Sequence, residues 1–146
     1  MALVNLYNFH TSPKDLLLYD HREIILKTRT AEIADYVYNW LNNFYQDVAT
    51  YDNDGSTKGI LSQFMHAEEF ELSSVYEGND RVFTIEVQDI TMGHILLDAD
   101  AIIVSSDSGY WKKLKYTDIP AVDGRRAIPS VDNILNELFD NIAQNI

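Results

Sequence analysis

The chain has 146 residues, 46% of them apolar, seventeen aromatic residues and a net charge of −12. That length and apolar content suit one folded domain spanning residues 1–146 and exclude a disordered acidic tail. The charge opposes direct contact with nucleic acid or an anionic membrane, the absence of cysteine removes disulfides, thiolate nucleophiles and cysteine metal sites, and no apolar run approaches the ~20 residues of a membrane span.

Residues 3–9 alternate apolar and polar side chains and read as a first strand. Ser12-Pro13 is a helix-start signal, with Leu16, Leu17 and Leu18 in the short helix that follows. Ile24, Ile25 and Leu26 suggest a second strand over residues 23–28. Thr30 then caps a long helix over about 31–49. Ile33, Val37, Trp40, Phe44 and Val48 form one stripe along it, and Ala34, Tyr38, Leu41 and Tyr45 form a second. Two stripes exceed what one core contact needs, so Tyr38, Leu41 and Tyr45 are candidates for a partner or self-association surface.

Residues 52–56 form a loop, and residues 59–67 fit a short helix. Residues 69–77 alternate, with Phe70, Leu72 and Tyr76 inward and Glu69, Glu71 and Glu77 outward. Residues 81–89 alternate in the same way around Phe83, Ile85 and Val87, and Gly78-Asn79-Asp80 between the two runs predicts a hairpin. Gly93 falls in a linker. Residues 95–105 read as a single strand, apolar on both faces near Ile102, Ile103 and Val104 and therefore central. Asp107-Ser108-Gly109 is a turn, and residues 110–116 form an edge strand with charges on both sides. Residues 117–129 form a loop. Ser130 caps a closing helix to about 145, with Val131, Ile134, Leu135, Leu138 and Ile142 as its stripe. The fold class expected is α+β: a mostly antiparallel sheet, the meander of about 69–116 plus the N-terminal strand, packed against the 31–49 helix and the 130–145 helix.

For chemistry, His94, Asp98 and Asp100 stand two or four apart, and on one strand they would share a face. Asp98 and Asp100 would then present two hard oxygens beside His94, which suits Mg²⁺ or Mn²⁺; the plainer reading is a solvated strand face. No second histidine follows His66 at metalloprotease spacing. A calcium loop centred on Gly55 would need an acid at Thr50 and a glutamate at Leu61. No serine nucleophile motif or phosphate loop is present, so no catalytic residue and no cofactor is expected. Lys112, Lys113 and Lys115 interleave with Tyr110, Trp111 and Tyr116, ahead of Arg125-Arg126, a pattern that suits a single strand of nucleic acid; the overall charge weighs against it.

The charge is unevenly placed. Fifteen acids and two bases, Lys58 and Arg81, lie between residues 30 and 111, giving that stretch −13. Carboxylates at Glu68, Glu69, Glu71, Glu77, Asp80 and Glu86 are the candidate contacts for a basic protein partner. The function expected is a non-catalytic acidic binding protein: an inhibitor, immunity or anti-defence antagonist, phage-encoded for example, that mimics nucleic acid. The alternative is a structural or assembly subunit such as a virion component, with self-association through the 31–49 helix. Residues 1–6 lack the basic patch of a signal peptide, and a cytoplasmic location in the producing or host cell is expected.

Overall fold

A computed structural model describes residues 21–52, 54–119 and 128–146, with side chains from residue 31 onward. The expected strand over 3–9 and the helix around Leu16–Leu18 lie outside the described residues. Helix α1 runs His21–Thr50 and α2 runs Thr57–His66. Strands β1 (Phe70–Glu77), β2 (Asp80–Val87), β3 (Ile90–Leu97), β4 (Ala101–Ser106) and β5 (Trp111–Lys115) follow, then a 3₁₀ turn at Tyr116–Asp118 and α3 at Pro129–Gln144. The five strands form one antiparallel sheet in the order β1-β2-β3-β4-β5. The α+β expectation holds.

Four local expectations are corrected. Residues 23–28 are the first turns of α1 rather than a strand, and Thr30 lies inside that helix. A short apolar run has no period of its own, and here it continues into the strongly periodic segment behind it. The strand expected over 95–105 is two strands, β3 and β4, separated by a turn at Asp98–Asp100. The Asp98 Oδ1 accepts from the backbone N–H groups of Asp100 and Ala101, both at 2.7 Å, and so builds the turn without glycine or proline. Gly93 belongs to β3 rather than to a linker. Finally, α3 begins one residue before Ser130: Ile128 is its N-cap and Pro129 fills the first turn.

The hairpin reads as expected. Glu77 pairs with Asp80 around Gly78-Asn79, and Gly78 has φ +64°, which the first position of this two-residue turn needs. The β2–β3 turn is less ordinary. Gln88 (φ 54°) and Asp89 (φ 62°) are both left-handed without being glycine.

Residues 70, 72, 83, 85, 87, 95, 97, 102 and 104 of the sheet are buried on its inner face, in one core with all three helices. Helix α3 lies directly on β3 and β4. The approach is close: a Cβ at Gly93 would stand 2.9 Å from the Ser105 carbonyl oxygen and 3.0 Å from Ile142 Cδ1. Helix α1 meets α3 through stacked rings, Trp40 on Phe44 (5.2 Å) and Phe44 on Phe139 (4.2 Å). The Tyr36 hydroxyl donates to Asp132 Oδ1 at 2.6 Å and accepts from the Ile128 N–H at 2.9 Å. It therefore satisfies a backbone donor at the start of α3 that Ile128, as N-cap, has no side chain to help hold in place.

Candidate functional site

The sheet register decides where the candidate acids stand. Odd-numbered β1 residues and even-numbered β2 residues share the outer face, away from α3. Glu71 is directly opposite Glu86, and Glu77 is directly opposite Asp80. Opposed residues have Cβ atoms roughly 5 Å apart, and like charges there repel. Glu68 and Glu69 lead into β1: Glu68 has φ 60°, and the Glu69 amide donates to the Phe64 carbonyl at 2.6 Å. All six acids thus sit on one hairpin and its entry. They form two groups, one at each end, separated by six residues of strand, roughly 20 Å.

None of these six is ion-paired among the described residues, where the ion pairs are Lys58–Asp47 (3.2 Å) and Lys112–Glu137 (3.3 Å). The one base of the hairpin, Arg81, does not screen the outer face. It is on the inner face, fully buried, with its guanidinium 4.1 Å from the Tyr76 ring centroid and Nη2 donating to Ser74 Oγ at 3.3 Å. Burial pushes its pKa down, and the Tyr76 contact partly offsets this. Sequence alternation places Arg81 on the inner face, but a lone arginine among apolar neighbours gives no signal that it is buried.

The helix candidates divide. Leu41 is 1% exposed and belongs to the core, so it cannot meet a partner. Tyr45 stacks on Phe70 of β1 at 5.8 Å, and Tyr38 is half-buried against the same core. The second stripe of α1 is used inside the fold.

His94, Asp98 and Asp100 do not share a strand face. His94 is exposed in β3, whereas both aspartates lie in the β3–β4 turn with Asp98 occupied by backbone amides. Among the described residues no group of three histidine or acidic side chains is placed to hold a metal ion.

The aromatic and basic strand is also divided by its pleat. On the inner side Tyr110 donates to Glu137 Oε2 at 2.5 Å, Lys112 pairs with the same carboxylate, and Tyr116 is buried with its hydroxyl on the Asp98 carbonyl at 2.7 Å. Hydrogen bonds from Tyr110 and then Lys112 hold Glu137 below the usual carboxylate range, and burial with the Glu137 contact pushes the Tyr110 hydroxyl upward. Trp111, Lys113 and Lys115 remain on the outer face. Arg125 and Arg126 lie outside the described residues.

A cleft of about 300 Å³ opens between the end of α1, the start of α2 and α3, walled by Phe44, Tyr51 and Phe139. Thr57 donates to Asp140 there at 2.7 Å, and Lys58 pairs with Asp47 while lying over the rings of Phe44 and Tyr51.

No helix among the described residues is long and apolar enough to cross a membrane. In comparison with known proteins, the chain matches no family model, no curated protein and no solved structure.

Proposed function

We propose that the protein is a non-catalytic acidic binding protein whose β1–β2 hairpin presents carboxylates to a basic site on another protein, as an inhibitor or antagonist does. The observation that carries this reading is the register: Glu71 against Glu86 and Glu77 against Asp80, with the only basic residue of the hairpin turned inward. Opposed like charges cost stability, so a chain that keeps two such pairs on a rigid two-stranded platform gains something other than stability from them. Carboxylate pairs held about 20 Å apart attract a cationic partner at long range and fix its register on contact. The same acids also blunt the β1 edge against pairing with another copy of itself. An assembly-subunit role through α1 has less support, because Leu41 and Tyr45 are spent inside the fold.

The test is capture from host lysate at low salt with matched variants. One variant neutralises the hairpin (Glu71→Gln, Glu86→Gln, Glu77→Gln, Asp80→Asn). The other makes the same charge change on exposed acids elsewhere (Asp52→Asn, Asp89→Asn, Asp107→Asn, Asp118→Asn). A basic partner retained by the second and lost by the first, and released from wild type by salt, is the expected result. Equal loss in both variants, or retention in both, refutes the assignment to the hairpin.

A further inference from the structure

The outer face of the sheet is bipolar in a way the acidic hairpin alone does not reveal. Through successive registers, Val75, Val82, Leu96, Ile103 and Lys113 lie in one row across all five strands. Lys115, two residues along β5, is level with Glu77 and Asp80, because β1 and β5 run in the same direction. Trp111 is level with Ser73 in the row on the other side. The face therefore has an apolar middle, carboxylates at its β1–β2 end, and two lysines with a tryptophan at its β5 end. Val75 is 53% and Trp111 60% exposed, at opposite edges of the face; between them Leu96 and Ile103 are half-buried and Val82 is buried.

Two identical sheets can stack face to face about a two-fold axis in two limiting ways. With the axis across the strands along the Val75–Lys113 row, each strand lies over its own counterpart run backwards: Lys113 meets Lys113, Lys115 meets Trp111, and Glu77 and Asp80 meet Ser73 and Thr84, so no carboxylate meets a lysine. With the axis along the strands, the strand order is reversed, and β5 of one copy lies over the hairpin of the other. Lys115 then stands over Glu77 and Asp80, and Lys113 and Trp111 over Val75 and Ser73. We infer that this face docks a second copy of the chain in the second arrangement, so that the interface is isologous and its charges are satisfied twice. Five strands ~4.8 Å apart and about 20 Å long give roughly 500 Å² per copy. The total of about 1,000 Å² is near the lower limit for a specific interface, which makes the pair weak and concentration-dependent. Glu71 and Glu86 lie beyond the end of β5 and stay open in the pair, whereas Glu77 and Asp80 cannot meet a second copy and a basic partner at once; Lys115, which the hairpin reading does not use, separates the two in the test.

Sedimentation velocity from about 10 to 500 µM at low salt, together with cross-linking, tests the pair. Wild type is expected to show a monomer–dimer equilibrium. Lys115→Glu should weaken it by about tenfold or more, and adding Glu77→Lys and Asp80→Lys to the same chain should restore it to within about threefold. The chain has no native cysteine, so a short bis-maleimide should couple the Lys115→Cys/Glu77→Cys variant between copies and leave each single variant uncoupled. A monomer at 500 µM, a dimer indifferent to Lys115→Glu, or a charge swap that fails to restore pairing while circular dichroism shows the fold intact would each overturn the proposal.

Discussion

Neutralising one member of the Glu71–Glu86 pair should make the protein more stable. The two carboxylates are opposed on the outer face, Glu71 exposed and Glu86 half-buried. At roughly 6 Å, two unit charges repel by about 0.7 kcal/mol in a water-like dielectric. Screening at 0.1 M salt, with a Debye length of about 10 Å, leaves about 0.4 kcal/mol, and 1 M salt leaves about 0.1 kcal/mol. Glu71→Gln should therefore raise stability by about 0.4 kcal/mol at 0.1 M salt, within the range of cross-strand pairs. Glu71→Lys, which turns repulsion into attraction, should gain about twice as much. Urea unfolding of wild type, the two single glutamine variants and the double variant forms a thermodynamic cycle. In the Glu86→Gln background, Glu71→Gln should add nothing. A gain that survives in that background, that persists in 1 M salt, or that has the opposite sign refutes the view that these acids are held together against their own repulsion.

Gly93→Ala should cost about 1–3 kcal/mol, since its Cβ would press on the Ser105 carbonyl and Ile142; thermal unfolding measures it, and Ile142→Val in the same chain should recover only the side-chain part. Tyr36→Phe should cost about 1–3 kcal/mol in urea unfolding, because the Ile128 N–H loses its acceptor and Asp132 its donor. Replacing Gln88-Asp89 with Asn-Gly should stabilise by about 1 kcal/mol, as both positions are left-handed; no gain in denaturant midpoint counts against the turn geometry. Tyr36 and Tyr110 have folded-state pKa values raised by burial and by their carboxylate partners. The stability they add is fully present below pH ~10 and is lost as pH rises from there toward their folded-state values. Absorbance titration should show a late-ionising group of hydroxyls, and Tyr110→Phe should remove one of them.

Much of this fold was legible in the residues. The hairpin carried alternation and a Gly-Asn turn, β5 carried charges on both sides, and the stripe of α3 is buried as its spacing implies. Two of the boundaries missed share a cause: they are made by a side chain or by strained backbone instead of by glycine and proline. Asp98 closes the β3–β4 turn with its own carboxylate, and Gln88-Asp89 adopts left-handed angles that neither residue announces. The six candidate acids were recognisable as a charge excess, but the pairing of Glu71 with Glu86 is a matter of register, and the sequence shows it only once the turn is known. The apparent surplus of apolar surface on α1 was misleading for a different reason: Tyr45 and Leu41 meet β1 and the core, contacts distant in sequence.

Every strand of the sheet pairs with its neighbour in sequence. Such a meander can zip up one hairpin at a time with short loop closures, and topologies of this kind reach their native state quickly. The slow step is then the joining of α1 to α3, through the ring stack at Phe139 and the Tyr36 clasp, which must bridge nearly a hundred residues.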